Sequence, residues 1–191
     1  MMAVIEEIRK IVPNEHPLLG KGILELTDII SKPYPGASVV PSLCRATFDR
    51  RTLVGEDEGV ILGQVNDATA RAQEKLPGLK ARCYLAEGEE KCWTGETIRA
   101  KRYFPAWVVD EDSELVQGAM KGLKDAGIEA KLSHFAFCTN GSSFCGEAGI
   151  PCIGYGPSLE SLAHVRDEYI EIDQLTKACK GFECILAQLT K

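Results

Sequence analysis

Apolar side chains at Val4, Ile5, Ile8, Ile11 and Val12 recur at helical spacing until Pro13, which predicts an opening helix over residues 2–12. After the loop Asn14-Glu15-His16-Pro17, two strand-like runs cover residues 23–30 and 39–48, separated by the turn-rich Lys32-Pro33-Tyr34-Pro35-Gly36. They read as an antiparallel pair. Val60, Ile61, Val65, Ala68 and Ala72 then mark a helix over residues 56–76, stopped by Pro77-Gly78. Extended runs follow at residues 79–85 and around 98–103. A helix, two strands, a helix and a strand is the order of a ferredoxin-like βαββαβ sandwich without its first strand. Such a sheet would keep one position unpaired and one apolar face open.

Phe104-Pro105-Ala106-Trp107 marks a boundary. Beyond it, Ser113 can cap a helix whose Leu115, Val116, Ala119, Met120 and Leu123 form one stripe, closed by Gly127. A short strand (129–137), a short helix after Thr139, an apolar strand (150–155) and a last helix from about Asp173 complete the pattern. In the last helix Leu175, Ala178, Cys179, Phe182, Ile185, Leu186 and Leu189 share a face. The fold class expected is α/β (α+β), with too few strands in the second half for a whole doubly wound sheet.

At 191 residues, with 45% hydrophobic and 26% charged residues, the chain has the composition of a globular protein of one or two small domains. No apolar run approaches the ~18 residues of a membrane span. The N-terminus lacks a basic segment followed by an apolar one, so a cytoplasmic location is the expectation. A net charge of −6, with Arg99, Lys101 and Arg102 as the densest basic spot, argues against nucleic acid as a partner. Eight cysteines (44, 83, 92, 138, 145, 152, 179 and 184) contain no Cys-x-x-Cys pair, which favours reduced, buried thiols over disulfides or a cysteine zinc site.

The candidate chemistry centres on His164, in Ala163-His164-Val165-Arg166-Asp167-Glu168 downstream of the Gly/Pro-rich Gly154-Tyr155-Gly156-Pro157. Neutral imidazole is the commonest zinc ligand, but a zinc hydrolase needs about three protein ligands and an open position. The remaining histidines, His16 and His134, form no ligand pair and read as structural or surface residues.

Taken together, His16-Pro17-Leu18-Leu19-Gly20-Lys21-Gly22, Phe48-Asp49-Arg50-Arg51 with Gly55-Glu56, Cys138-Thr139-Asn140-Gly141, and Gly154-Tyr155-Gly156-Pro157 leading to His164 and Glu168 resemble the C-terminal half of an M20-type metallohydrolase. That family contains aminoacylases, deacylases and peptidases; the resemblance points within it to the selenium-metabolism-linked branch. It implies a partial, ferredoxin-like dimerisation lid over residues 1–104, lacking its first strand. Residues 105–191 would then be the C-terminal part of an α/β catalytic domain. The family's His-x-Asp pair, bridging Asp and Glu-Glu pair would lie upstream, so the chain is expected to be a truncated enzyme, inactive alone and completed by a missing N-terminal half.

The resemblance further implies two zinc ions in the complete site, with cobalt or manganese as alternatives, and His164 as one metal ligand. Glu168 would orient the loop or remain a solvated surface group. Arg51 would hold a substrate carboxylate through its guanidinium fork, against a plain salt bridge to Asp49 or Glu56. Asn140 and Gly141, with Thr139, would begin a helix whose amides meet an anion, or Thr139 and Asn140 would be ordinary caps. Gly154, Gly156 and Pro157 would shape the turn that presents His164. Many members have Asp where Asn140 stands, and an Asn near Ala37-Ser38-Val39-Val40-Pro41. The implied activity is hydrolysis of a C–N bond in a small N-acyl amino acid, dipeptide or ureido compound, by a homodimer joined through the lid. The alternative is a non-catalytic dimerisation or interaction protein derived from that lid.

Overall fold

Asp57 accepts a hydrogen bond from Val60 N through its side chain (2.8 Å) and so begins helix α2, Glu58–Lys75. Ala68 and Ala72 on this helix receive Val4 and Ile8 of helix α1, Met2–Ile8, and the cluster is joined by Leu24, Phe48, Val65, Leu79 and Ala81. Helix α1 stops at Ile8, four residues before the expected Val12; Ile11 still packs on the cluster, while Val12 is exposed. The computed structural model describes all 191 residues, which form two compact units, Met1–Ala106 and Trp107–Lys191.

In the N-terminal unit, strands β1 (Glu15–His16) and β2 (Gly20–Lys21) make a small hairpin. Strand β3 (Ile23–Lys32) pairs antiparallel with β4 (Leu43–Arg51), from Ile23 opposite Arg51 to Lys32 opposite Leu43, with a register shift between Leu26 and Asp28. The second strand starts four residues later than the alternation at Val39 suggests. Val39 and Val40 are exposed, and Pro41 has no N–H to give a ladder there.

Residues 79–85 keep the alternation of a strand: 79, 81, 83 and 85 are half-buried, and 80, 82 and 84 are exposed. Leu79 and Ala81 pack on the core, and Cys83 Sγ lies 3.0 Å from Thr69 Oγ1. No ladder partner is present, however, and the segment joins no sheet. A hairpin of β5 (Glu87–Lys91) and β6 (Thr97–Lys101) follows, exposed along almost all its length. The first of its strands is polar at every position and carries no apolar alternation to announce it.

One further interaction fastens the two helices. Glu7 is 3% exposed and its carboxylate meets Lys10 Nζ at 2.6 Å, Lys75 Nζ at 2.5 Å and Arg71 Nε at 3.3 Å. The hydrogen bond from Lys10, then that from Lys75, hold its pKa down to about 2.

The C-terminal unit is built on α3 (Glu114–Asp125), capped by Ser113, and α4 (Ile172–Leu189). Ala119, Leu123 and Ile185 form its core, with Ile128, Ala130, Ile153 and Tyr155 against them. Gly122 lets the helices touch: a Cβ there would stand 2.7 Å from Cys184 O and from Ile185 Cα. Residues 129–137 and 150–155, expected as strands, form no ladder. The Phe135 ring lies over Gly154, where a Cβ would stand 2.3 Å from it, and Pro151 has no N–H to donate. The helix after Thr139 is a π-helix, Ser142–Glu147. No helix is long and apolar enough to cross a membrane.

Candidate functional site

Strand alternation decides what the two adjacent arginines do. Phe48 and Arg50 face α2, so Asp49 and Arg51 face outward. Arg50 Nη2 binds Glu56 Oε1 at 2.6 Å, and Arg50 Nη1 binds Gln64 Oε1 of α2 at 2.8 Å. Glu56 is 6% exposed. Its Oε1 also accepts from Asn14 Nδ2 at 2.8 Å, and its Oε2 from Leu53 N at 3.0 Å. Tyr103 donates its hydroxyl to the Glu56 carbonyl at 2.9 Å. Arg51 is left half-exposed at the strand end, with Nη2 at 3.1 Å from Asp49 Oδ2. Of the two simple ion pairs expected for Arg51, the one to Asp49 is present, whereas Glu56 belongs to Arg50.

His16 sits at the base of the small hairpin opposite Gly20. Its Nδ1 accepts from Leu18 N (3.1 Å) and Leu19 N (3.2 Å), which places any ring proton on Nε2. That is a turn-stabilising role. His134 is exposed.

In the C-terminal unit, His164 is exposed and has a left-handed backbone, φ +60°, as does Asp167 at +60° and Ser158 at +78°. Non-glycine residues in that region carry strain that the surroundings must support. Side-chain acceptors supply the support. Glu168 Oε2 accepts from His164 N (3.1 Å), Glu160 Oε1 from Ala136 N (2.8 Å), and Gln174 Oε1 from Ser158 N (2.8 Å). His164 thus stands exposed on a loop whose backbone is braced at three points.

The segment Thr139-Asn140-Gly141 folds on itself. Gly141 N donates to Thr139 Oγ1, Ser142 N to Thr139 O, and Ser143 N to Asn140 O. Gly141 is buried against Trp107, where a Cβ would stand 2.3 Å from the indole; Asn140 is exposed. All eight thiols are free, but none is buried: Cys138 and Cys179 are exposed and the rest are half-buried. The expectation of buried cysteines fails because they flank the core instead of filling it. Desolvation pushes the Cys152 thiol up, so it stays protonated at neutral pH.

The sequence signature described as peptidase family M20/M25/M40 matches residues 10–188. The chain belongs to that family. It is 31% identical over 151 residues to the uncharacterized protein YgeY of Escherichia coli (strain K12), a match covering 78% of this chain and 36% of YgeY. A Pyrococcus horikoshii protein, provisionally named a LysW-lysine/LysW-ornithine hydrolase, is 26% identical over 87 residues, 46% of this chain and 27% of that one. The M20 chain described here therefore spans about a third of the length of these relatives.

M20 proteins are generally metal-dependent. No three His, Cys, Asp or Glu side chains converge here in a metal-binding group. A closed or catalytic zinc site needs three or four ligands, so the donors of this chain do not make one by themselves. From sequence, Glu56 reads only as a partner of Arg51, and Arg50 and Asn14 carry no role, although inward alternation from Phe48 was the signal that would have found Arg50.

Proposed function

We propose that the chain is the C-terminal portion of a metal-dependent amidohydrolase that cleaves a C–N bond in a small N-acyl amino acid, dipeptide or ureido compound. The observation that carries the reading is the M20 match over residues 10–188, which includes His164, exposed on a strained, braced loop. In this reading His164 gives one ligand to a metal, zinc with cobalt or manganese as alternatives, whose other ligands lie outside these residues. Arg51 holds a substrate carboxylate, its half-exposed guanidinium exchanging Asp49 for the ligand. Asn140 and Gly141 line the substrate side. Because the Gly141 amide is already engaged by Thr139, this loop offers shape and the Asn140 side chain.

The N-terminal unit serves as the lid and joins two copies of the protein. Residues 79–85 keep strand alternation without a ladder partner, which suits a sheet completed by a strand that is not among these residues. The test uses the native protein captured from source cells with an antibody against this chain. Hydrolysis of a panel of N-acetyl amino acids, dipeptides and ureido acids is expected, lost on chelation and in a His164→Ala strain. A native protein that carries no metal and hydrolyses none of these compounds refutes the proposal.

A further inference from the structure

The guanidinium of Arg51 projects from a strand end that ends in a loop, and strand ends fray unless something fixes them. What fixes this one is Glu56. Its carboxylate joins Arg50, the residue before Arg51, to Asn14 at the root of the His16 hairpin and to Leu53 N in the loop after Arg51. Arg50 passes the constraint to α2 through Gln64. The hairpin is tied in a second time, because Gly22 N donates to Asn14 O, and a Cβ on Gly22 would stand 3.4 Å from Arg51 O.

We infer that Glu56, acting through Arg50, is the positioning residue for Arg51: it holds the residues on both sides of that arginine so that its fork meets a ligand carboxylate already oriented. This rests on the reading of Arg51 as the carboxylate anchor. The physical case is the cost of disorder. Ordering a long cationic side chain and its backbone on binding opposes affinity, and a preorganised fork avoids that cost. A buried carboxylate with three donors and an arginine bound through both Nη atoms is a rigid support, because leaving any one of these groups unpaired is unfavourable. Arg51 is free of that network, so the support and the binding group are separate residues one position apart, facing opposite sides of the strand.

The experiment titrates N-acetylglycine into the 191-residue chain and follows the Arg51 side-chain Nε–H resonance by NMR. The wild type is expected to show a saturable shift at Arg51 that Arg51→Ala abolishes. Glu56→Gln should weaken binding about tenfold, equivalent to roughly 1.4 kcal/mol. Arg50→Lys, which keeps the charge and loses the fork, tests the same support with less risk to folding; it should weaken binding about as much while the far-UV spectrum stays unchanged. Broadening of the Arg51 resonance in both variants is the signature of lost positioning. Folded variants that bind N-acetylglycine as tightly as the wild type overturn the inference and leave the anchor reading in place. A wild type with no response at Arg51 overturns the anchor reading, and the inference falls with it.

Discussion

Replacing Gly122 with alanine tests the packing that holds the C-terminal unit together. Gly118 and Gly122 lie one turn apart on one face of α3, and the backbone of α4 approaches that face. A Cβ at position 122 meets Cys184 O and Ile185 Cα at 2.7 Å, both backbone atoms that cannot rotate away. Restoring an ordinary contact of about 3.5–4 Å moves the helices apart by roughly 1 Å and loosens Ala119, Leu123 and Ile185. Overpacking of this kind costs about 1–3 kcal/mol, while alanine returns about 1 kcal/mol of helix propensity. The net expectation is a loss of up to about 2 kcal/mol, because two backbone atoms of α4 stand in the way and the overpacking cost falls toward the upper end of its range. Gly118→Ala is the near control, because its Cβ meets only the mobile end of Leu189 at 2.7 Å; Gly63→Ala, in open space on α2, should stabilise by up to about 1 kcal/mol. Hydrogen exchange of α3 and α4 amides reads the C-terminal unit separately from the other. If Gly122→Ala protects those amides as well as glycine does, the close-approach argument is wrong.

Two other substitutions extend the reasoning. Glu7 has a folded-state pKa depressed to about 2 from 4.5 by Lys10 first and Lys75 next, so its contribution is complete above the unfolded value and lost as pH falls toward 2. Wild-type urea midpoints should therefore decline between pH 4.5 and about 2, and those of Glu7→Gln should be lower at pH 7 with a shallower acid dependence; parallel pH profiles would contradict the assignment. Gly141→Ala drives a Cβ into the Trp107 ring, and its expected result is a red-shifted indole emission with unchanged helix content; an unmoved spectrum would show that the ring does not lie there.

How much was legible depends on whether a feature is local. Ser113 with Gly127 delimits α3, and the apolar residues of α2 lie where the spacing puts them. Boundaries moved where a single residue had a second use: Glu56 reads as the first residue of α2, yet it is withdrawn into the buried node and Asp57 takes the cap. Strand alternation at 79–85 reports which side chains face the core, but a ladder needs a second strand that a period-two pattern does not specify. The candidate site divides the same way. His164 was findable from its neighbours in sequence, and Glu168, four residues on, was read as a group that would orient its loop, whereas the acceptors at Glu160 and Gln174 meet chain segments that no local pattern brings together.

The absence of a ladder at residues 79–85 bears on how the polypeptide behaves at high concentration. Arg82, Cys83, Tyr84 and Leu85 have amides with no hydrogen-bond partner in the chain, and Tyr84 is 60% exposed beside them. An open backbone edge with alternating apolar residues is a template for any second strand of the right length. Light scattering of the purified chain is therefore expected to rise with concentration and to fall when a short strand-forming peptide that can pair with this segment is added.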